Sequence, residues 1–348
     1  MSLRPLAFPA FAVAVAIASS ACGSPTTPPA TPPTSIRASA SATPSATERP
    51  SRAPTSPTPT VTLPVLSAPP TVLSGRFVFD DHGIRLIDAD GSHAMRLTDP
   101  GDGVDFDPSW RPDGKAIVFR SSRGQYGPDP VGTGTEGILV VDVPSGRQRQ
   151  LFPANPTDVG GLFPDWSPDG RRVALSTLDA LNAERIVIVD ATTGRILVDT
   201  KSPGECSEWS PDGKTIAFCR QPGNGDFEVW TMAADGSGQR QLTSAPGPDD
   251  GPIWSPDGRR IAFYSKRLDR GDVFVMNADG SDQHVVLALP GGQAPAAWFP
   301  DGRILVSSTA TEDQLLPSWF VVNQDGTDLA SVPVLDAARA ALPLDWLP

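Results

Sequence analysis

Carboxylates collect in the few residues that precede a recurring tryptophan. The acidic residues of these segments are Asp102, Asp105, Asp107, Asp158, Asp165, Glu205, Glu208, Asp249, Asp250 and Asp345. If the segments meet around one opening, that opening is strongly acidic and suits a cationic segment of a partner or a divalent ion such as Ca²⁺. The alternative interpretation is that these carboxylates are solvated loop side chains.

Two cysteines flank one copy of the same motif. Cys206 and Cys219 lie on either side of the turn at Asp212-Gly213. A two-residue reversal at that turn places the two cysteines opposite each other on adjacent strands, and this separation suits a disulfide. A one-residue bulge at the turn would displace them.

Residues for catalysis are sparse. His82, His93 and His284 lie in different repeats at no metal-ligand spacing, and the chain has no Gly-x-Ser-x-Gly elbow. The sequence therefore predicts no catalytic residue, no metal centre and no cofactor, with Ca²⁺ as the alternative. A lactonase-like hydrolase or lyase that uses carboxylates in a channel is the competing interpretation.

The recurring motif defines the elements that position these residues. The motif Trp-x-Pro-Asp-Gly, in which x is any residue, occurs five times. Its copies begin at Trp110, Trp166, Trp209, Trp254 and Trp298, in steps of 56, 43, 45 and 44 residues. Each motif is followed by β-rich runs that are separated by a polar loop and an Asp-Gly hairpin turn. A period of about 40 to 45 residues with four short strands indicates the blades of a β-propeller.

The two ends of the repeat region predict how the ring closes. The first unit begins at Phe77 without a tryptophan strand, and the last residues, Asp345 to Pro348, restart the motif. Pairing the last strand with the first unit completes one blade and leaves no unpaired inner edge. The sequence therefore predicts an all-β fold of six blades, each with four antiparallel strands, closed by the C-terminal strand on blade 1.

One face of this propeller is the predicted binding surface. The Pro-Asp-Gly and Asp-Gly turns share one face, and the other loops, including an insertion at 123–137 that contains Tyr126, lie opposite. Insertions on one face are typical of a binding surface, and a neutral surface loop is the alternative. The predicted binding face consists of Tyr126, Asp105, Asp107, Asp165, Glu208, Asp249, Asp250 and Asp345.

The repeated Trp-Ser-Pro-Asp-Gly-Arg/Lys, with Asn277-Ala-Asp-Gly-Ser281 downstream, resembles the propeller of the TolB family over about 275 residues. The resemblance implies an extracytoplasmic propeller that binds proteins at its face and channel mouth. TolB proteins of the Tol system carry a folded domain before the propeller, whereas this chain has a Pro-rich segment there.

The N-terminus predicts export. Residues 1–21 combine Arg4, a short apolar run and small residues before Cys22, which is the layout of a cleaved signal. The segment also resembles a bacterial lipoprotein signal, which implies a lipid on Cys22. An ordinary signal cleaved nearby is the alternative. Residues 22–71, rich in Pro, Ser, Thr and Ala, predict a disordered tether, and 72–348 the propeller.

The net charge of −12 disfavours nucleic acid as a partner. Part of it is structural, because many aspartates stand before glycine in tight turns. The sequence thus favours a non-catalytic, monomeric binding module of the cell envelope that contacts the membrane only through its lipid. Its expected partner is an envelope protein, a peptide or a glycan.

Overall fold

The computed structural model describes residues 73–101, 103–122, 137–153, 159–178, 184–223, 225–268, 270–309, 317–338, 340 and 344–348. Its strands, in chain order, are β1 (Arg76–Asp80), β2 (Ile84–Asp88), β3 (Met95–Arg96), β4 (Asp105–Trp110), β5 (Ala116–Ser121), β6 (Gly137–Asp142), β7 (Gln148–Phe152), β8 (Val159–Trp166), β9 (Arg172–Leu178), β10 (Glu184–Asp190), β11 (Ile196–Asp199), β12 (Glu205–Trp209), β13 (Thr215–Arg220), β14 (Glu228–Ala233), β15 (Arg240–Gln241), β16 (Asp249–Trp254), β17 (Arg260–Ser265), β18 (Asp272–Asn277), β19 (His284–Leu287), β20 (Gly292–Trp298), β21 (Arg303–Thr309), β22 (Ser318–Asn323), β23 (Ala330–Ser331) and β24 (Leu344–Leu347).

The strands form six four-stranded antiparallel sheets, which confirms the predicted six-bladed propeller. Blade 1 has the order β24-β1-β2-β3, and blades 2 to 6 each take four consecutive strands, beginning at β4, β8, β12, β16 and β20. The first strand of each blade contacts the first strand of both neighbouring blades, so these six inner strands surround the central axis. Among the described residues, α1 (Pro333–Ala338) is the one helix. No helix in this part of the chain is long and apolar enough to cross a bilayer.

The Pro-Asp-Gly motif is a self-contained turn. In blade 4 the Ser210 hydroxyl donates to Asp212 Oδ1 at 2.7 Å, and the Lys214 N–H donates to the same oxygen at 3.1 Å. Gly213 has φ 68°, a left-handed conformation that glycine adopts without steric cost. The hydrogen bond from Ser210 also lowers the pKa of Asp212. These aspartates serve the turn, as the sequence indicated.

The core lies between the blades. The tryptophan that precedes each turn packs against apolar side chains of the preceding blade, as Trp166 does against Val140 of blade 2. Trp110, Trp166, Trp209, Trp254 and Trp298 are all at most 7% exposed. The repeated tryptophan therefore holds one blade against the next, and the regular spacing of the motif follows from this role.

The C-terminal strand closes the ring on blade 1, as predicted. In β24, Leu344 pairs with Phe79, and Leu347 pairs with Arg76. The ring of Trp346 meets Phe299 of blade 6 edge-on at 4.9 Å between centroids, and its indole N–H donates to the Ser74 carbonyl at 2.9 Å. The closing strand is therefore attached to blade 1 through its backbone and to blade 6 through a side chain.

Candidate functional site

The inner strands share an irregularity that decides where their side chains lie. The residue three positions before the tryptophan has a positive φ in four blades, at Asp107, Phe163, Cys206 and Gly251, with values between 49° and 55°. The pairing register with the second strand shifts at the same place in each of these blades. This bulge separates each inner strand into two parts, one on either side of it.

The structure does not bring the predicted binding-face carboxylates into one group. Asp165, Glu208 and Asp345 directly precede a tryptophan, so they lie at the end of the inner strand next to the Pro-Asp-Gly turn. Asp107 is itself the bulge residue of blade 2, and Asp250 lies on the far side of the bulge in blade 5. Two or three residues at about 3.3 Å each separate the two groups by roughly 7–10 Å along the axis. The carboxylates of the predicted binding face therefore lie at different levels of the axis, and the binding face itself stays a prediction.

Asp165, Glu208 and Asp345 connect neighbouring blades. Each accepts the backbone N–H of the tryptophan in the next blade: Asp345 from Trp110 at 2.6 Å, Asp165 from Trp209 at 2.8 Å, and Glu208 from Trp254 at 3.0 Å. These N–H groups lie on the edge of the inner strand that faces the axis and has no further strand beside it. The three carboxylates satisfy donors that the sheet leaves unpaired.

This arrangement has an electrostatic cost. Burial raises the pKa of Asp165 to about 7 and that of Asp345 to about 6. Burial, followed by the nearby Asp165 and Asp345, raises the pKa of Glu208 well above its ordinary value. Burial favours the neutral form of all three groups, and the charge of Asp345 adds to this effect at Asp165 and Glu208.

Asp105 and Asp249 are also not part of an accessible face, because both carboxylates are fully buried. Asp105 accepts the Thr98 and Ser121 hydroxyls, each at 2.6 Å, and Asp249 accepts Arg267 Nη2 at 2.6 Å. Asp105 thus joins β4 to Ser121 on the second strand of its own blade and to Thr98, which follows β3 of blade 1, whereas Asp249 binds Arg267 just beyond the end of β17. Buried carboxylates with such partners hold the blade together and have no surface to offer a ligand.

At the end of the axis where the inner strands begin, a different acidic group forms, which we call the mouth cluster. It consists of Asp80, Asp107, Glu184, Glu205 and Asp250, contributed by blades 1 to 5. Burial, then Glu184 and Asp250, raises the pKa of Glu205 to about 8. Burial, then Asp107, raises the pKa of Asp80 to about 8. The carboxylates are close enough to affect one another's ionisation.

Two further side chains complete the mouth. Arg120 Nη1 lies 3.5 Å from Asp107 Oδ2, and its guanidinium stacks 4.3 Å from the centre of the Phe106 ring. Burial, followed by Asp250 and Asp272, raises the pKa of the Tyr264 phenol to about 12. Asp80, Glu184, Arg120 and Tyr264 were absent from the sequence-based prediction because none of them belongs to the segment before a tryptophan.

A comparison of the six repeats could have identified this region. One register position of the second strand holds Asp80, Arg120, Ser176, Cys219, Tyr264 and Ser307 in blades 1 to 6. The position two residues earlier is apolar and fully buried in every blade: Val78, Val118, Ala174, Ala217, Ala262 and Leu305. The fold requires the earlier position to be apolar, whereas the chemistry at the mouth differs from blade to blade.

Cys206 and Cys219 also lie at the mouth, with a register that differs from the prediction. The backbone partner of Cys219 is Glu205, because the bulge at Cys206 shifts the pairing. Both thiols are free in the structure, and the disulfide stays a prediction. Tyr126, Asp102, Asp158 and Cys22 lie outside the described residues.

Comparison with known proteins agrees with the architecture. The family described as TolB beta propeller domain matches residues 133–338, more than half of the chain. The chain belongs to this family. The protein described as Tol-Pal system protein TolB from Anaeromyxobacter dehalogenans (strain 2CP-C) is 32% identical over 113 residues, which cover 32% of this chain and 25% of that protein. The chain thus spans about a quarter of the length of this relative.

Solved structures of TolB proteins share the fold. The putative TolB from Agrobacterium tumefaciens superposes with a TM-score of 0.60 at 21% identity, covering 74% of this chain and 87% of that one. TolB from Acinetobacter baumannii superposes with a TM-score of 0.58 at 17% identity, covering 74% of this chain and 66% of that one. At these identities the likeness concerns the fold alone.

Proposed function

We propose that this chain is a non-catalytic binding module of the cell envelope, and that its mouth cluster receives a cationic segment of an envelope protein. The observation that carries the proposal is the convergence of five carboxylates from five blades on one end of the axis. Burial keeps Glu205 and Asp80 partly protonated near neutral pH, with pKa values of about 8. A lysine or arginine side chain would stabilise their ionised forms, so this environment favours a cation.

The family supports an envelope role. Its curated relative is described as a protein of the Tol-Pal system, which is the basis for expecting a protein partner here rather than a peptide or glycan. Nucleic acid is excluded from the proposal because the chain carries a net charge of −12. We further propose that the protein is monomeric, since the described inner strands are all paired within the ring.

The N-terminal part of the proposal concerns location. Residues 1–21 direct export, Cys22 carries a lipid, and residues 22–71 form a tether that holds the propeller on the extracytoplasmic side of the membrane. In fractionated cells, the wild type should pellet with membranes and Cys22→Ser should be released by washing. Equal membrane association of both proteins would contradict the lipid anchor.

Site-specific photo-cross-linking tests the binding face. A photoreactive residue at position 205 probes the mouth, and the same residue at position 279 probes the exposed Asp-Gly turn of blade 5 at the opposite end. In cells, the probe at 205 should capture a discrete envelope protein, with a basic segment at the cross-linked site. The proposal fails if the same products appear from both positions, or if the captured segment is acidic or apolar.

The pKa values also support a second candidate function, a hydrolase or lyase of the channel. A carboxyl group that is protonated near pH 7, as Glu205 is with a pKa of about 8, is in the state that a general acid requires. Turnover of model lactones and polyuronates by the wild type, lost in Glu205→Gln, would favour this enzyme over the binding module.

A further inference from the structure

Cys206, Cys219 and Asp250 form a compact group of side chains at the mouth. One potential ligand atom from each, the two Sγ atoms and a carboxylate oxygen, all lie within 4.8 Å of one another. The ligand atoms of a tetrahedral zinc site, with Zn–S bonds near 2.3 Å and Zn–O bonds near 2.1 Å, are about 3.5–3.8 Å apart. Small side-chain rotations would therefore bring the three donors to this spacing.

We propose that the reduced chain binds one Zn²⁺ ion through Cys206, Cys219 and Asp250. Two thiolates and a carboxylate form a donor set suited to a borderline-soft divalent ion, and it differs from the all-oxygen set that Ca²⁺ prefers. The site lies between blades 4 and 5, since Asp250 belongs to the inner strand of blade 5. The zinc site shares Asp250 with the mouth cluster, but its test uses metal ions alone and does not depend on the proposed partner.

The backbone supplies the outer support of such a site. The Gly251 N–H donates to Cys219 Sγ at 3.2 Å and to Asp250 Oδ1 at 2.6 Å. Donors of this kind stabilise a thiolate and orient a carboxylate ligand. Gly251 has a φ of 55°, the same bulge conformation as Cys206 in the neighbouring blade, so the bulge places both the ligand and its donor.

The group has a reason to take up a cation. The Cys219 thiol donates to Asp250 Oδ1 at 2.7 Å, and this hydrogen bond is replaced when the thiol loses its proton to bind metal. A bound dication would stabilise the two thiolates and the carboxylate together.

The geometry also indicates how an ion would enter and what completes its shell. Cys219 is fully buried, whereas Cys206, Asp250 and Glu205 are half-buried at the mouth. Glu205 directly precedes Cys206 on β12 and belongs to the mouth cluster together with Asp250. We assign the fourth position to Glu205 or to water, which leaves the ion reachable from the mouth.

Oxidation removes this site. Formation of a Cys206–Cys219 disulfide transfers two electrons and two protons to an added oxidant such as oxidised glutathione, which becomes two molecules of reduced glutathione. Neither cysteine sulfur then remains a thiolate donor. The predicted disulfide and the proposed zinc site are thus alternative states of one pair of cysteines, and the redox state of the compartment selects between them.

Cobalt binding tests the proposal in the full chain. Reduced, chelator-treated protein is titrated with Co²⁺, whose thiolate charge-transfer band and strong visible bands report sulfur ligands and tetrahedral geometry, and Zn²⁺ is then added in competition. We expect one Co²⁺ per chain, displaced by Zn²⁺. Oxidation with glutathione disulfide should abolish the bands, and reduction should restore them.

Matched variants locate the site. Cys206→Ser and Cys219→Ser should each lose the charge-transfer band, and Asp250→Asn should weaken affinity by at least about tenfold. Cys22→Ser, which leaves both mouth cysteines in place, should bind like the wild type. Because Cys219 is buried, circular dichroism confirms that its variant is folded, and the half-buried Cys206 gives the same test independently. The proposal is overturned if reduced wild-type protein shows no thiolate band, or if the band survives in Cys206→Ser.

Discussion

A chain that ends at residue 343 tests the closure of the ring, because it lacks β24 and keeps the other strands that the structure describes. The truncation removes Leu344, which is 5% exposed and whose burial contributes about 1.5–3 kcal/mol. It also removes the Trp346 hydrogen bond to Ser74, worth about 1 kcal/mol, and the edge contact with Phe299, worth about 0.5–1.5 kcal/mol. When the backbone pairing of the four β24 residues is included, the truncation should lower the free energy of unfolding by roughly 5 kcal/mol.

A net stability of about 5–15 kcal/mol is typical of folded proteins, so the truncation removes a large share of it. At about 2–4 °C per kcal/mol for a domain of this size, the melting temperature should fall by about 10 °C or more. The open edge of β1 should also promote association. Removal of Pro348 alone, which is exposed and outside β24, is the control and should change little. Calorimetry that finds equal melting temperatures for both truncations would refute the closure argument.

Three further outcomes follow from the described contacts. Stability should rise as the pH falls from about 8 to about 5, because a carboxyl with a raised folded-state pKa, such as Asp165 at about 7, binds its proton more tightly when folded. Glu208→Gln keeps an acceptor and removes a charge, so its melting temperature should exceed the wild-type value near pH 8 and equal it near pH 5; a lower value at both would contradict the repulsion. Asp105→Ala should lower the free energy of unfolding in urea by about 2–4 kcal/mol, since two buried hydroxyls lose their acceptor. The control Asp99→Ala, at an exposed position, should leave it unchanged. Superimposable unfolding curves for the two variants would argue against the buried contacts. Binding of a lysine-rich peptide should release protons near pH 7, because the cation ionises Glu205; calorimetry in two buffers of different ionisation enthalpy measures this, and equal heats would count against it.

The fold could be predicted because its determinants are local and repeated. Each Trp-x-Pro-Asp-Gly copy encodes the end of an inner strand and a turn stabilised by its own side chains, as at Ser210 and Asp212. The partial copy at Asp345-Trp346 was sufficient to predict the closing strand. These signals depend on neighbouring residues alone, so they can be recognised in the sequence without knowledge of the tertiary contacts.

The site was only partly predictable, for two physical reasons. The bulge places residues as different as Asp107, Phe163 and Cys206 in a left-handed conformation, which a sequence signals strongly through glycine and only weakly through Asp or Asn. The register at the cysteines was therefore predicted one residue away from its observed position. Proximity to tryptophan also could not distinguish carboxylates at opposite ends of an inner strand.

The residues of the mouth that were missed depend on contacts between blades. Asp80 ends β1 and Glu184 begins β10, and both approach the inner-strand carboxylates across blade boundaries. No spacing within a single repeat contains this information. A comparison of the blades at each register position does contain it. Such a comparison separates positions that are apolar and buried in every blade from positions whose residue type differs between blades.

The central claim, a cation-binding mouth, is tested most directly by peptide affinity in two variants that each replace two carboxyl groups by amides. Glu184→Gln with Glu205→Gln removes two carboxylates at the mouth, and Asp235→Asn with Asp279→Asn removes two from exposed turns at the other end. Fluorescence anisotropy with a lysine-rich peptide at low salt should show at least about tenfold weaker binding for the mouth variant and wild-type binding for the turn variant. Equal weakening in both variants would show that net charge alone attracts the peptide. That result would contradict the assignment of the mouth as the binding site.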